Sequence, residues 1–115
     1  MSSDIREHSI MIADLAYDEG REAGSKVRPA CVVKYDNQKI AYYKITSQFN
    51  NKSDYFQNKY FEIKDWVYAG LKQPSWIDTF KIRRVDEQYV VIKFVGYLSA
   101  NDEARFVEFL SNLTQ

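Results

Sequence analysis

Cysteine and histidine are almost missing from this sequence: its 115 residues hold one of each, Cys31 and His8. A lone cysteine excludes an intramolecular disulfide and a cysteine metal cluster, and inside an apolar run it reads as a small buried hydrophobe. His8 with one cysteine falls short of a metal site. A nucleophile triad would have to use that same histidine, beside the start of a first strand. With four glycines, no phosphate-cradling glycine-rich pattern occurs. Metal, nucleotide and flavin enzymes are thereby disfavoured, and no metal or cofactor is expected. Net charge is missing too. Sixteen basic residues cancel sixteen acidic ones, so no global field draws the chain to nucleic acid or membrane, and such binding needs a local patch. No apolar run nears the ~20 residues of a membrane helix, and no charged-then-apolar leader pattern occurs. The expected compartment is the cytoplasm, and no membrane partner is expected.

What is present is a chain 45% apolar and 16% aromatic, of a length that supports one domain (1–115) with a single core. "HSIMIADLAY" (8–17) suits a first strand, and "DEGREAGSK" (18–26) a long charged loop. "ACVVKY" and "KIAYYKI" are β-branched and aromatic, and they form a hairpin turning at Asp36-Asn37. Pro29 fits the first residue of its strand, where a missing N–H costs no ladder bond. A polar loop, Ser47 to Asn58, follows. "KYFEI" is a short strand and "KDWVYAGL" a helical turn or two ending near Gly70. "PSWIDTFKIRRV" and "QYVVIKFVGYL" are further strands. "SANDEARFVEFLSNL" is the one clear helix, with Ser99 as its cap and acidic residues in its first turn. Its apolar face comprises Phe106, Val107, Phe109, Leu110 and Leu113. Such a chain packs as a small, curved, barrel-like sheet closed by a helix.

The polar groups of interest stand at the hairpin's ends. Arg28 lies where the first loop meets the second strand, and Thr46 and Ser47 where the third strand meets the second loop. Pairing through the hairpin brings Arg28 and Thr46 to one edge of the sheet. An arginine offers a fixed, always-charged fork for phosphate oxygens and for charge building on a pentacoordinate phosphorus, and a hydroxyl can orient the phosphate. RNA supplies its own nucleophile in the 2′-OH, so cleavage there needs positioning and electrostatics. The plainer alternative is a solvated cation at a strand start and a turn-initiating hydroxyl pair. Phe49, Tyr55 and Phe56 sit in a polar loop, where they either stack on bases or anchor the loop. Lys81, Arg83 and Arg84 form the densest basic run, read as a strand end. Lys34, Lys39 and Lys44 fall on outward hairpin positions and are assigned to solubility.

Four segments in register carry a resemblance: "GREAGSKVRPACVV", "KITSQ", "LKQPSWIDTFKIRRVD" and "VGYLSANDEARFVEFLSNL". They resemble the MazF/PemK family, toxins of type II toxin–antitoxin systems, from about Ser9 to Leu113. The resemblance implies a mainly β fold with a C-terminal α-helix, a small SH3-like or CcdB-like barrel of about five to seven strands, usually a homodimer. It implies a sequence-specific, metal-independent endoribonuclease, an mRNA interferase, that acts on single-stranded RNA and leaves a 2′,3′-cyclic phosphate and a 5′-OH. It also implies growth inhibition relieved by a cognate antitoxin. The family's arginine falls on Arg28 and its threonine on Thr46, as catalytic residues. Arg28 is assigned phosphate and transition-state charge, with acid/base duty open to it, and Thr46 orients the scissile phosphate. Ser47 and Glu22 support them, and Arg21, Lys26, Gln48, Phe49, Tyr55 and Phe56 are further candidates for RNA contact. The chain departs from the pattern in its first strand, which lacks the usual preceding glycine, and in a first loop one residue longer. Where some members carry an Arg-x-Asp pair after the Pro-Ser motif, Asp78 and Phe80 stand here. The general acid and base stay open, as do a degenerate inactive toxin and a non-catalytic barrel acting, like gyrase poisons, through a protein partner.

Overall fold

The hairpin that the sequence marks most strongly lies at the centre of the sheet. The computed structural model describes residues 6–15, 26–49 and 57–113. Strand β2 (Lys26–Asp36) turns into β3 (Lys39–Thr46) through Asn37 and Gln38, at φ 53° and 68°. Two successive left-handed residues make the two-residue turn whose twist suits a hairpin. The turn thus sits one residue beyond the Asp36-Asn37 expected from sequence. Pairing runs Asp36↔Lys39, Tyr35↔Ile40 and Lys34↔Ala41, then shifts to Val32↔Tyr42, Cys31↔Tyr43 and Ala30↔Lys44. Val33 is the extra residue of a β-bulge. Tyr35 and Val32, three apart, consequently pack in the same apolar cluster, which regular alternation along a strand would forbid.

Around this hairpin lie β1 (Ser9–Leu15), β4 (Tyr60–Ile63), β5 (Ser75–Asp86) and β6 (Ile92–Tyr97). All pairs are antiparallel, in the order β4-β5-β3-β2-β1-β6. The six strands among the described residues fall within the expected five to seven. They form an open, barrel-like sheet with apolar core on both faces, rather than a closed barrel. One face carries Met11, Ala13, Ala30, Val32, Ile40 and Tyr42. The other carries Ile10, Cys31, Ile45, Phe61, Ile63 and Ile77 beneath the helix α1 (Ala100–Leu113), whose Phe106 is fully buried. Cys31 is the small buried hydrophobe expected; burial first, and the Glu103 charge second, push its thiol pKa up.

The helix begins as its sequence predicts. Ser99 Oγ accepts from Asp102 N at 3.1 Å, and Ser99 O accepts from Glu103 N at 2.7 Å. Two details differ. Val107 is 53% exposed, because it lies off the Phe106–Phe109–Leu110 stripe that meets the sheet. Asp102 is buried instead of solvated, accepting from Lys64 N (3.3 Å) and Asp65 N (2.8 Å) and pairing with Arg105 at 2.6 Å. His8 closes the other end of the helix-side core: its Nδ1 lies 2.6 Å from Glu103 Oε2, and its ring meets Phe106 edge-on at 5.4 Å.

The "KDWVYAGL" segment is a hydrogen-bonded turn rather than a regular helix. Leu71 N donates to Trp66 O and Gly70 N to Val67 O, the double bond of a Schellman ending, with Gly70 at φ +89°. A Cβ on Gly70 would stand 2.5 Å from Val95 O, and one on Gly96 would stand 2.5 Å from Ala69 O. The turn is therefore pressed against β6 by two glycines. Phe106→Ala is expected to cost about 3–5 kcal/mol in urea denaturation, as a large cavity in a close-packed core, and Val107→Ala within about 0.5 kcal/mol.

Candidate functional site

At the open end of the central hairpin, Ala30↔Lys44 is the last recorded β2–β3 pair. Two residues on, the same register brings Arg28 opposite Thr46. Arg28 pairs on its other side with Ala13, a member of the cluster facing away from α1, and Thr46 pairs with Trp76 of β5. Both are half-buried. They line one cavity of about 230 Å³ together with Pro29, Ile45, Ser47, Gln73 and Ser75. That is several times the ~30 Å³ share of a water molecule in the liquid. Ile45 and Ser75 belong to the helix-side face, since Ile45 is in that core and Ser75 pairs with Ile63, so the cavity wraps around the end of the sheet.

Among the described residues lining the cavity, Arg28 is the one charged group and no carboxylate occurs. Thr46 Oγ1 accepts from Gln48 N at 3.0 Å. This small hydroxyl turn is the plainer role expected for Thr46, and it is compatible with the functional one. A hydroxyl has one donor and two acceptor sites, so the turn fixes the oxygen while the O–H can still donate. Ser75 Oγ donates to Gln73 O at 2.8 Å, which ties the Gln73 wall to the start of β5. The arrangement is suited to an oxyanion, with an always-charged fork on one strand and a pre-oriented hydroxyl on the next.

Of the other sequence candidates, Ser47 lines the cavity half-buried and Gln48 is exposed beside it. Phe49 is half-buried and stacks on Trp76 (centroids 4.9 Å, planes 9° apart), with Tyr60 edge-on at 6.2 Å. Its backbone oxygen accepts from Gln57 Nε2 at 3.3 Å. Phe49 thus anchors its loop to β5. Lys26 opens β2, and its side chain is not among the described ones; Arg21, Glu22, Tyr55 and Phe56 lie outside the described residues.

The comparisons with known proteins bear on this site. The family described as PemK-like, MazF-like toxin of type II toxin–antitoxin system matches residues 6–112. The chain belongs to that family. Among solved structures it is similar to the Mycobacterium tuberculosis toxin MazF-mt6, with a TM-score of 0.65 at 19% identity, over 90% of this chain and 93% of that one. At that identity the likeness speaks for the fold. No curated protein matches the sequence.

Within this PemK/MazF-type toxin, sequence reasoning did not find Gln73, Ser75 and Trp76 as site neighbours, although the Pro-Ser motif points at Ser75. They reach the site through β3–β5 pairing, which no local pattern reveals. Nor did it find the group around Asp78, which is 5% exposed. Asp78 Oδ1 accepts from Phe80 N (2.9 Å), and Oδ2 accepts from Tyr60 OH (3.2 Å) and lies 3.6 Å from Lys44 Nζ. Lys44 is accordingly not the solvated lysine the sequence assigns. Desolvation first, then the charge of Asp78 and its hydrogen bond, push the Tyr60 phenol up to about 12. A raised phenol pKa contributes stability that is complete below the ordinary value of 10.0 and is lost as pH rises through about 12. Ultraviolet titration of the wild type minus Tyr60→Phe should show one phenol ionising near that upper value. In an Asp78→Asn background the same difference should move towards 10.

Proposed function

We propose that this toxin is a sequence-specific, metal-independent endoribonuclease that cleaves single-stranded mRNA in the cytoplasm. In the reaction the 2′-oxygen attacks the adjacent phosphorus, a 2′-O–P bond forms and the P–O5′ bond breaks. The proton lost from the 2′-OH is balanced by one delivered to the 5′-oxygen. The products are a 2′,3′-cyclic phosphate and a 5′-OH, and no water is consumed. Arg28 binds the scissile phosphate and counters the charge that builds on its equatorial oxygens, and Thr46 donates to a non-bridging oxygen and sets its orientation. Ser47 adds a second hydroxyl, and the family pattern gives Glu22 a supporting role.

What carries this is the meeting of Arg28 and Thr46 across the β2–β3 hairpin, in a cavity whose described lining holds a cation and no carboxylate. These are the residues on which the family pattern puts its arginine and threonine. The Arg-x-Asp acid/base pair of some members has no counterpart at Asp78 and Phe80. Asp78 is engaged by Tyr60 and Lys44, and Phe80 is 56% exposed. The Arg/Thr form of the site is therefore the one that fits. In the cell the toxin acts as a homodimer, and a cognate antitoxin with an acidic segment neutralises it by covering the same cations.

Incubation with a long single-stranded RNA in EDTA, with end-mapping of the products, tests this. Wild type should cut at a short recurrent sequence and leave cyclic-phosphate ends. Arg28→Ala and Thr46→Ala should each slow cleavage, Arg28→Ala by roughly 10²–10³-fold, as for loss of one preorganised transition-state donor. Intact RNA with the wild type sinks the nuclease assignment. Cleavage undiminished in Arg28→Ala sinks the residue assignment alone.

A further inference from the structure

On the sheet face that carries Arg28 and Thr46, side chains stand in cross-strand rows. One row runs Arg28, Thr46, Trp76. The next runs Ala30, Lys44, Asp78, Tyr60, through the pairs Ala30↔Lys44, Lys44↔Asp78 and Tyr60↔Asp78. Lys44 is two residues from Thr46 on the same strand and the same face, a spacing of about 6.8 Å. Consecutive phosphates of an extended single strand are separated by a comparable step.

Lys44 is also far less exposed than Lys39, the surface lysine that pairs with Asp86. Its ammonium lies 3.6 Å from Asp78 Oδ2, and its side chain is 24% exposed. Asp78 is fixed in turn by Tyr60 OH and Phe80 N. An ammonium has three N–H donors and can bridge a carboxylate and a phosphate at once. Fixing the carboxylate removes most of the rotamer freedom that a lysine otherwise loses on binding, which is preorganisation. The stacked Phe49 and Trp76, with Tyr60 against Phe49, flank the same two rows.

We propose that Lys44, oriented by Asp78, is a second phosphate contact for RNA, engaging the phosphate next to the one at Arg28 and Thr46. This rests on the ribonuclease reading above. Lys44 is a binding residue, and Asp78 a positioning residue that acts through it. In a chain of zero net charge, affinity for a polyanion has to come from such local cations.

The test is fluorescence polarisation with a short single-stranded RNA carrying 2′-O-methyl groups throughout, which cannot cyclise, titrated over a range of salt. Cleavage of the unmodified RNA by wild type is measured in parallel. Lys44→Gln should weaken binding about fivefold at low salt and reduce the slope of log affinity against log salt by about 0.7, the share of one phosphate on a single strand. Lys44→Arg should restore both. A slope unchanged in Lys44→Gln, whether or not affinity falls, overturns the proposal, because a merely structural lysine would not alter the slope. If Lys44→Gln fails to fold, the matched apolar pair Lys44→Met/Asp78→Leu replaces it, with the same fall in slope expected and the same unchanged slope overturning it. Wild type that neither binds nor cleaves RNA overturns the ribonuclease reading together with this one. Wild type that does both, beside an unaltered Lys44→Gln, overturns this one alone.

Discussion

The β-bulge at Val33 is the constraint on which the candidate site depends. Near the turn, β2 and β3 pair so that Tyr35 opposes Ile40; past the bulge, Ala30 opposes Lys44. Without the extra residue the earlier register would continue. Arg28 would then oppose Ser47, and its side chain would alternate onto the helix-side face. The bulge corrects both at once, putting Arg28 across from Thr46 on the face away from α1. The Asn37-Gln38 turn is the other half of this device, since a two-residue hairpin fixes the register from which the bulge departs. A local backbone irregularity thereby decides which two side chains share a cavity.

The far wall of that cavity is positioned from the other end of the molecule. Gln73 and Ser75 follow directly on the Lys64–Gly70 turn, which is fixed by a buried carboxylate. Asp102 accepts from two backbone N–H groups of that turn and pairs with Arg105, while Ser99, the helix cap, donates to Asp65 at 2.5 Å. A buried charge is tolerable when donors surround it, and Asp102 lies in the first turn of a helix, where the dipole favours an anion. The Gly70 and Gly96 contacts then set the distance between turn and β6. Helix, turn and cavity wall form one mechanical series, so the C-terminal helix bears on the site without lining it.

Much of this was legible in the residues. The hairpin, the long β5 and the capped helix are written in local patterns: β-branched and aromatic runs, turn residues, and apolar spacing near 3.6. The ends of the hairpin drew attention because arginine and hydroxyls are unneeded there, and the family resemblance then assigned them roles. What escaped reading is non-local. A bulge has no signature in "ACVVKY", and "DNQ" does not say which two of its residues turn left-handed. Asp102 satisfies every rule for a solvated first-turn acid, and only the arrival of the Lys64–Gly70 turn buries it. Lys44 looks like its neighbours Lys34 and Lys39; β5 brings an aspartate opposite both Lys39 and Lys44, but only the Lys44–Asp78 pair is largely buried.

That last contrast bears on the anion site proposed for a chain of zero net charge. Neutrality constrains only the sum. Here, four carboxylates close to the sheet are committed to particular partners: Asp78 to Lys44 and Tyr60, Asp86 to Lys39, Asp102 to Arg105, and Glu87 to Tyr35. A carboxylate fixed at one point cannot swing across to neutralise a cavity two rows away, and a cation fixed beside it keeps its place on the surface. Pairing therefore segregates charge on a scale shorter than the ~8–10 Å over which salt screens it. The sum at zero keeps long-range attraction weak, so the RNA recognition proposed for this face would depend on short-range fit, phosphate by phosphate. That dependence is the physical condition for reading a particular stretch of single strand instead of binding any strand indiscriminately.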